Sequence, residues 1–434
     1  MELRFIIIFL AGAMGALLAN RGISVFNDAV RPIYPEYREG RMTRFAFAST
    51  TFGLNFGLVI GFGIPFSIMS PIILVHSLWL GTDIIGTVCP GKPMDHWYKD
   101  RQSLLGASLS SLLGGLYGIA LLVGLQAVVN ASKRLPINIF DSWQSLSDPV
   151  LYAFAAFPCI VVAMDYGWKK GLLSLGVVVL LRQLVAAVPN ATVANMADGL
   201  ALLVGLIFVV VFAFRDKSSS TGDLSSIFGD RVKNIKKNIP WIAAMGAIYA
   251  IACNIHLLME GPQSLVAVKS GKEASAIAIT AARALSFIPL KGLTSLASGT
   301  FATDGFGFTA TAGLLAPNPV LAAIFGAIVM SLEALSLVAV AKLFDHFPGV
   351  KKSSDSMRVA MTKVLEVAIL VGSMIAANGM APNGLGFLLV AGLFVMNEYF
   401  KRPITRMAVG PIATIIVGLL VNVLAVMGLY HVAS

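Results

Sequence analysis

Apolar residues run along this chain in long blocks, with neither the strict alternation of exposed strands nor the heptads of coiled coils. A bilayer core asks for about 20 consecutive apolar residues per helix, fewer where a helix is broken. The pattern predicts fourteen crossings. Seven fall near 3–20, 45–69, 70–90, 102–129, 149–166, 171–188 and 191–214. Seven more fall near 240–259, 275–290, 292–316, 318–342, 362–380, 385–400 and 407–430. Segments 70–90 and 292–316 are interrupted by Pro, Gly, Ser, Thr and Asp, so either can also be read as a re-entrant hairpin. Residues 1–20 have the basic start and apolar run of a signal peptide, but a similar segment in mid-chain favours a first transmembrane helix.

Composition agrees with the pattern. Apolar residues make up 57%, charged residues 12%, and the mean hydropathy is +0.82. A soluble domain carries roughly 25% charged residues, so soluble enzymes, disordered scaffolds and secreted disulfide modules are excluded. The net charge of +10 does not point to nucleic acid, because no basic stripe with interleaved aromatics is present. With the N-terminus outside, most of the 32 Lys and Arg fall in inside loops 21–44, 91–101, 167–170, 215–239, around Lys291, 343–361 and 401–406. Only Arg4, Lys133, Arg134, Lys269 and Lys272 lie outside or at outer ends, as the positive-inside rule expects, and the C-terminus is then also outside. Cys89, Cys159 and Cys253 are isolated packing residues, and no cofactor or metal is expected.

The polar, basic stretch 215–239 divides the chain into membrane halves 1–214 and 240–434. Short matches recur between the halves in order. Ala13-Met14-Gly15-Ala16 matches Ala244-Met245-Gly246-Ala247, and Gly40-Arg41 matches Gly271-Lys272. Thr82-Asp83 matches Thr303-Asp304, and Gly106-Ala107 matches Gly326-Ala327. Seven crossings per copy is odd, so the second copy must lie inverted, with an interrupted third segment in each. Such repeats are the architecture of many secondary transporters.

Ionisable groups within a span are costly and mark function by default. Asp304 with Thr303, Thr300 and Ser298, and Asp83 with Thr82, are the candidate solute ligands at the two interruptions. The alternative is that each Asp caps a half-helix. Glu333 is a candidate for proton coupling or substrate contact, and Asn55 for reaching the site from its Gly53-x-x-x-Gly57-x-x-x-Gly61 face. Arg182 and Arg283 fall within spans and need partners, His76 reads as a packing histidine, and Glu366 lies near an interface. Motifs for phosphate loops, zinc proteases and hydrolase elbows are absent, and the Gly-x-Gly-Asp of intramembrane aspartyl proteases is missing.

The segment Asn20-Arg21-Gly22-Ile23-Ser24-Val25-Phe26-Asn27-Asp28, followed by Arg31-Pro32-Ile33-Tyr34-Pro35-Glu36-Tyr37-Arg38-Glu39-Gly40, resembles the YhfT family of bacterial inner-membrane proteins, and the resemblance runs the whole chain. It implies inner-membrane location and transport, and it supplies no site residues. At fold level the pattern also resembles nucleobase and sulfate-type carriers and ascorbate-type sugar permeases. The expectation is an all-α polytopic transporter of a small anionic or zwitterionic solute, not an enzyme. It would be proton- or sodium-coupled, elevator-like and homodimeric. The alternatives are an intramembrane aspartyl-type enzyme, and a channel or non-transporting subunit.

Overall fold

A computed structural model describes residues 2–68, 71–91, 97–146, 148–216, 227–344 and 346–430. Residues 217–226 of the linker at 215–239 and the end of the C-terminal tail lie outside the described residues. Among the described residues nine helices are long and apolar enough to cross a bilayer, so this is an all-helical, multi-pass membrane-type protein.

The first half opens with α1 (Glu2–Asn20), strand β1 (Ser24–Val25) and α2 (Arg44–Leu58), which a π-helical turn at Val59–Gly63 extends to Ser67. Strand β2 (Ile73–Leu74), α3 (Val75–Val88) and α4 (Arg101–Ser132) follow. A bundle of α5 (Phe157–Tyr166), α6 (Trp168–Ala186) and α7 (Ala197–Arg215) closes this half. After the amphipathic α8 (Ile227–Lys237), the same order recurs. It runs α9 (Ile239–Asn254), β3 (Leu258–Met259), α10 (Glu273–Ser298), β4 (Phe301–Ala302), α11 (Phe308–Leu315) and α12 (Pro319–Phe344). A second bundle of α13 (Pro348–Met380), α14 (Leu385–Tyr399) and α15 (Arg406–Val426) ends the chain.

The strands pair across the halves. β1 runs parallel to β4, with Phe301 N–H donating to the Ile23 carbonyl at 3.0 Å. β2 runs parallel to β3, with Ile73 N–H donating to the Leu257 carbonyl at 2.9 Å. Non-helical backbone survives at membrane depth only where protein satisfies it, and here each half satisfies the other's breaks.

Lipid is as apolar as Leu, so close backbone approach and polar contacts must hold the helices together. Gly12 of α1 meets Gly114 of α4 so closely that a Cβ on Gly12 would lie 2.2 Å from the Gly114 carbonyl oxygen. Gly246 of α9 meets Gly326 of α12 in the same way, at 2.4 Å. Asn20 donates to the Gly86 and Cys89 carbonyls at 2.8 and 3.1 Å, tying the end of α1 to the end of α3. Asn254 donates to the Gly313 and Ala316 carbonyls at 3.1 and 2.7 Å, tying α9 to α11. Trp79 of α3 packs edge-on against Tyr249 of α9 at 4.6 Å, joining the halves. Gly326→Leu should therefore destabilise the protein by about 3 kcal/mol, the upper range for overpacking. An unchanged melting temperature in detergent would contradict the crossing.

The structure revises the expected spans in two places, the first being α13, which starts at Pro348 inside the expected loop 343–361. The boundary expected between segments 275–290 and 292–316 also moves: α10 continues through Pro289 to Ser298, and the rest of the later segment is β4, a turn and the short α11. Lys291, counted above as an inside-loop charge, is therefore in mid-helix and 3% exposed. Pro289 misled the reading because a membrane helix tolerates proline where neighbours satisfy the freed carbonyl. The repeat register also differs. The strands and capping asparagines align Gly12, not Gly15, with Gly246, and the helix crossings align Gly114, not Gly106, with Gly326.

Helix α8 lies against the β1–β4 break. Asn234 donates to the Gly299 carbonyl at 2.7 Å and the Gly22 carbonyl at 3.3 Å, and Arg231 donates to the Ala297 carbonyl. Nearby, Arg41 hydrogen-bonds Glu36 at 2.7 Å and holds its carboxyl below the ordinary value.

Candidate functional site

All four strands end at one cavity. It is lined by Phe26, Asn27 and Asp28 after β1, His76 and Leu80 after β2, Gln263 after β3, and Asp304 after β4. The opposite wall comes from Val150, Leu151 and Phe154, from Asn195 to Leu202, and from Met361 and Leu365 of α13. Its volume is about 120 Å³, well above what one ordered water needs.

Helix α10 supplies the charged wall. Arg283, Phe287 and Lys291 are spaced four apart, which puts them on one face, and all three line the cavity. Lys291 Nζ donates to Asp304 Oδ2 at 2.6 Å and to Glu260 Oε1 at 3.3 Å. Arg283 Nε lies 3.8 Å from the same Glu260 oxygen, and its guanidinium stacks over Phe287 at 4.4 Å. Charges thus alternate in the order Arg283, Glu260, Lys291, Asp304. Lys291, Glu260 and Asp304 are nearly fully buried, so removing any one of them would leave its partner uncompensated. Among the cavity-lining groups, Asp304 Oδ1, Arg283 Nε and His76 Nδ1 lack a hydrogen-bond partner. Leaving such a group unmade costs about 1–3 kcal/mol, and a ligand can recover it.

Of the solute ligands expected from the sequence, Asp304 is the one that lines the cavity; Arg283 and His76, read there as a charge in need of a partner and a packing histidine, line it as well. Asp83 stands behind it, accepting the backbone N–H groups of Phe26 at 3.1 Å and Asn27 at 3.0 Å. Asn55 accepts from the Asn27 side chain and donates to the Leu80 carbonyl at 3.1 Å. Thr82 donates to the Trp79 carbonyl at 3.1 Å, inside its own helix. Thr303 accepts from Ser24 Oγ at 3.2 Å, Ser298 donates to the Thr294 carbonyl at 2.8 Å, and Thr300 reaches the Gly22 carbonyl at 3.5 Å. Those three hydroxyls join or flank the strand pair. Glu333 Oε2 accepts the Phe306 N–H at 2.9 Å, so it caps the turn after β4 as Asp83 caps the turn after β1. Measured from the strands, Asp304 corresponds to His76 and not to Asp83, which lies well inside α3.

The other intramembrane charges find partners. Arg182 meets Asp198 at 2.7 Å, and Asp198 lines the cavity. Glu366 pairs with Arg406 at 3.2 Å. His76 sits edge-on to Phe26 and Phe62, both at 4.9 Å. Arg31, fully buried, donates to the Val25 and Phe26 carbonyls at 2.7 and 2.9 Å and to Thr294 of α10, and pairs with Asp28. Sequence reasoning missed Glu260, which ends an apolar run like a loop residue, and the role of Lys291. The four-residue spacing from Arg283 to Lys291 was the available signal.

The profile of YhfT, described as a protein of unknown function, matches residues 4–430. The chain belongs to the YhfT family. It is 32% identical to the uncharacterized protein YhfT of Escherichia coli strain K12, over 99% of this chain and 98% of the relative. No solved structure matches the chain. The YhfT segment Asn20–Asp28 quoted above is the one that forms β1 and the first cavity-lining turn.

Proposed function

We propose that this chain is a secondary transporter of a small polar solute in the bacterial inner membrane. The observation that carries the reading is the convergence of four strand ends on a cavity between two groups of helices. Solute sites of transporters lie at such breaks, between repeats inverted in the membrane. In this reading the halves are inverted seven-segment repeats. The group built on α1, α3, α4, α9, α11 and α12 carries the breaks, and it moves against the bundles α5–α7 and α13–α15, within a homodimer. Proton or sodium coupling fits the buried carboxylates Glu260, Asp304 and Glu333. Uptake that persists without either gradient would remove coupling.

The enzyme reading has less support. A carboxylate dyad works by sharing a proton, whereas Asp83 is held by backbone amides and Asp304 by Lys291.

The test is a thermal-shift screen of purified protein in detergent against pooled polar metabolites, followed by uptake of any hit into proteoliposomes. Ligand binding to the folded state raises the melting temperature by mass action. Asp304→Asn should weaken binding by about tenfold or more, the loss of one charge-assisted hydrogen bond. A hit that binds but is never taken up, in either direction, counts against transport.

A further inference from the structure

We propose that the transported solute is a small zwitterion of amino-acid type with an apolar side chain. Its carboxylate would rest on Arg283 and its ammonium on Asp304. The inference rests on the transport reading above and adds the chemistry of the solute.

Three observations carry it. The first is charge balance. Around the cavity Asp28 is paired with Arg31 and Asp198 with Arg182, while Arg283, Glu260, Lys291 and Asp304 alternate in sign. A solute with net charge would add an uncompensated charge at low dielectric, and a zwitterion adds none.

The second is the set of unmade hydrogen bonds. Arg283 Nε–H is a charged donor without an acceptor, and Asp304 Oδ1 is a charged acceptor without a donor. A ligand that completes both carries a negative acceptor and a positive donor. The backbone amides of the two breaks, which could otherwise have held an anion, are already taken by Asp83 and Glu333. That leaves the side chains of α10 as the anion site.

The third is the rest of the wall. Leu58, Phe62, Leu80, Met361 and Leu365 line the cavity and offer no hydrogen bonds from their side chains. They suit a branched or aromatic side chain, and the uncharged polar groups on the wall are Asn27, His76, Asn195 and Gln263.

The experiment compares matched probes on the wild-type full chain in detergent. L-leucine is set against 4-methylpentanoate, which lacks the ammonium, and 3-methylbutylamine, which lacks the carboxylate. L-valine, L-methionine and L-phenylalanine extend the zwitterion series. At least one of the four zwitterions should raise the melting temperature, with each one-charge analogue of leucine binding tenfold or more weakly than leucine. Arg283→Gln should erase the preference over the amine, and Asp304→Asn the preference over the carboxylate. Because the analogue comparison uses only the wild type, a variant that fails to fold does not weaken it. A one-charge analogue that binds as tightly as leucine, or no shift from any of the four zwitterions, overturns the inference. If the metabolite pools then yield a solute of another class that is taken up, the transport reading stands without it. If neither screen yields a solute, both fall.

Discussion

Lys291→Met should be among the most damaging single substitutions in this chain, with an expected loss of about 3–5 kcal/mol. Lys291 is 3% exposed and is the ammonium within reach of both Asp304 and Glu260, which are each 1% exposed. Removing it leaves two buried carboxylates, with Arg283 3.8 Å from Glu260 and no other ion pair to Asp304 among the described residues. Methionine fills similar volume, so the loss reports charge and not a cavity. The double variant Lys291→Met with Asp304→Asn should recover part of the stability, because one orphaned charge is removed with its partner. Melting curves of the wild type, both single variants and the double variant give the coupling directly. Strictly additive effects would mean that the pair does not interact.

Asp83→Ala is the second large effect, expected at about 2–5 kcal/mol from two orphaned backbone amides. The Phe26 and Asn27 N–H groups lose their acceptor, and the turn that carries three cavity-lining residues loosens. Asp83→Asn should cost less, since an amide oxygen can still accept one of those bonds. The two aspartates should therefore separate in their readouts. Asp83 variants lower the melting temperature first and weaken binding as a consequence. Asp304→Asn weakens binding while Lys291 retains Glu260 as a partner. A ligand-bound crystal or cryo-EM structure with density against Asp83 would reverse that assignment.

Much of this was legible in the sequence for a physical reason: the bilayer allows few ways to satisfy a backbone. Apolar block length gave the helices, and the interruptions at 70–90 and 292–316 marked two of the four strands. The other two strands sit just after α1 and α9: β1 falls in the expected loop 21–44, whereas β3 falls at the apolar end of the expected span 240–259 and reads as more helix. Nothing local distinguishes Ser24-Val25 from a loop, because its partner is in the other half. The same limit explains the site. Asp304 was legible as an isolated carboxylate in an apolar run, whereas Glu260 and Lys291 each lay beside Gly or Pro and read as surface residues. Sequence matching also paired Asp83 with Asp304 because both follow Thr. The strands show that one caps a turn and the other faces the cavity.

The crossed pairing has a consequence for synthesis. Ser24 and its partner Phe301 are 277 residues apart. At about 5–20 residues per second, β1 exists for roughly 15–55 s before its partner emerges from the ribosome. During that interval the first seven helices hold unpaired backbone, and Arg31 and Asp83 are the groups already made that can shield it. Newly inserted chains should thus pass through a protease-sensitive stage that ends only when β4 arrives. Stalling translation before residue 301 is made, and again once it has cleared the ribosome, would time that closure.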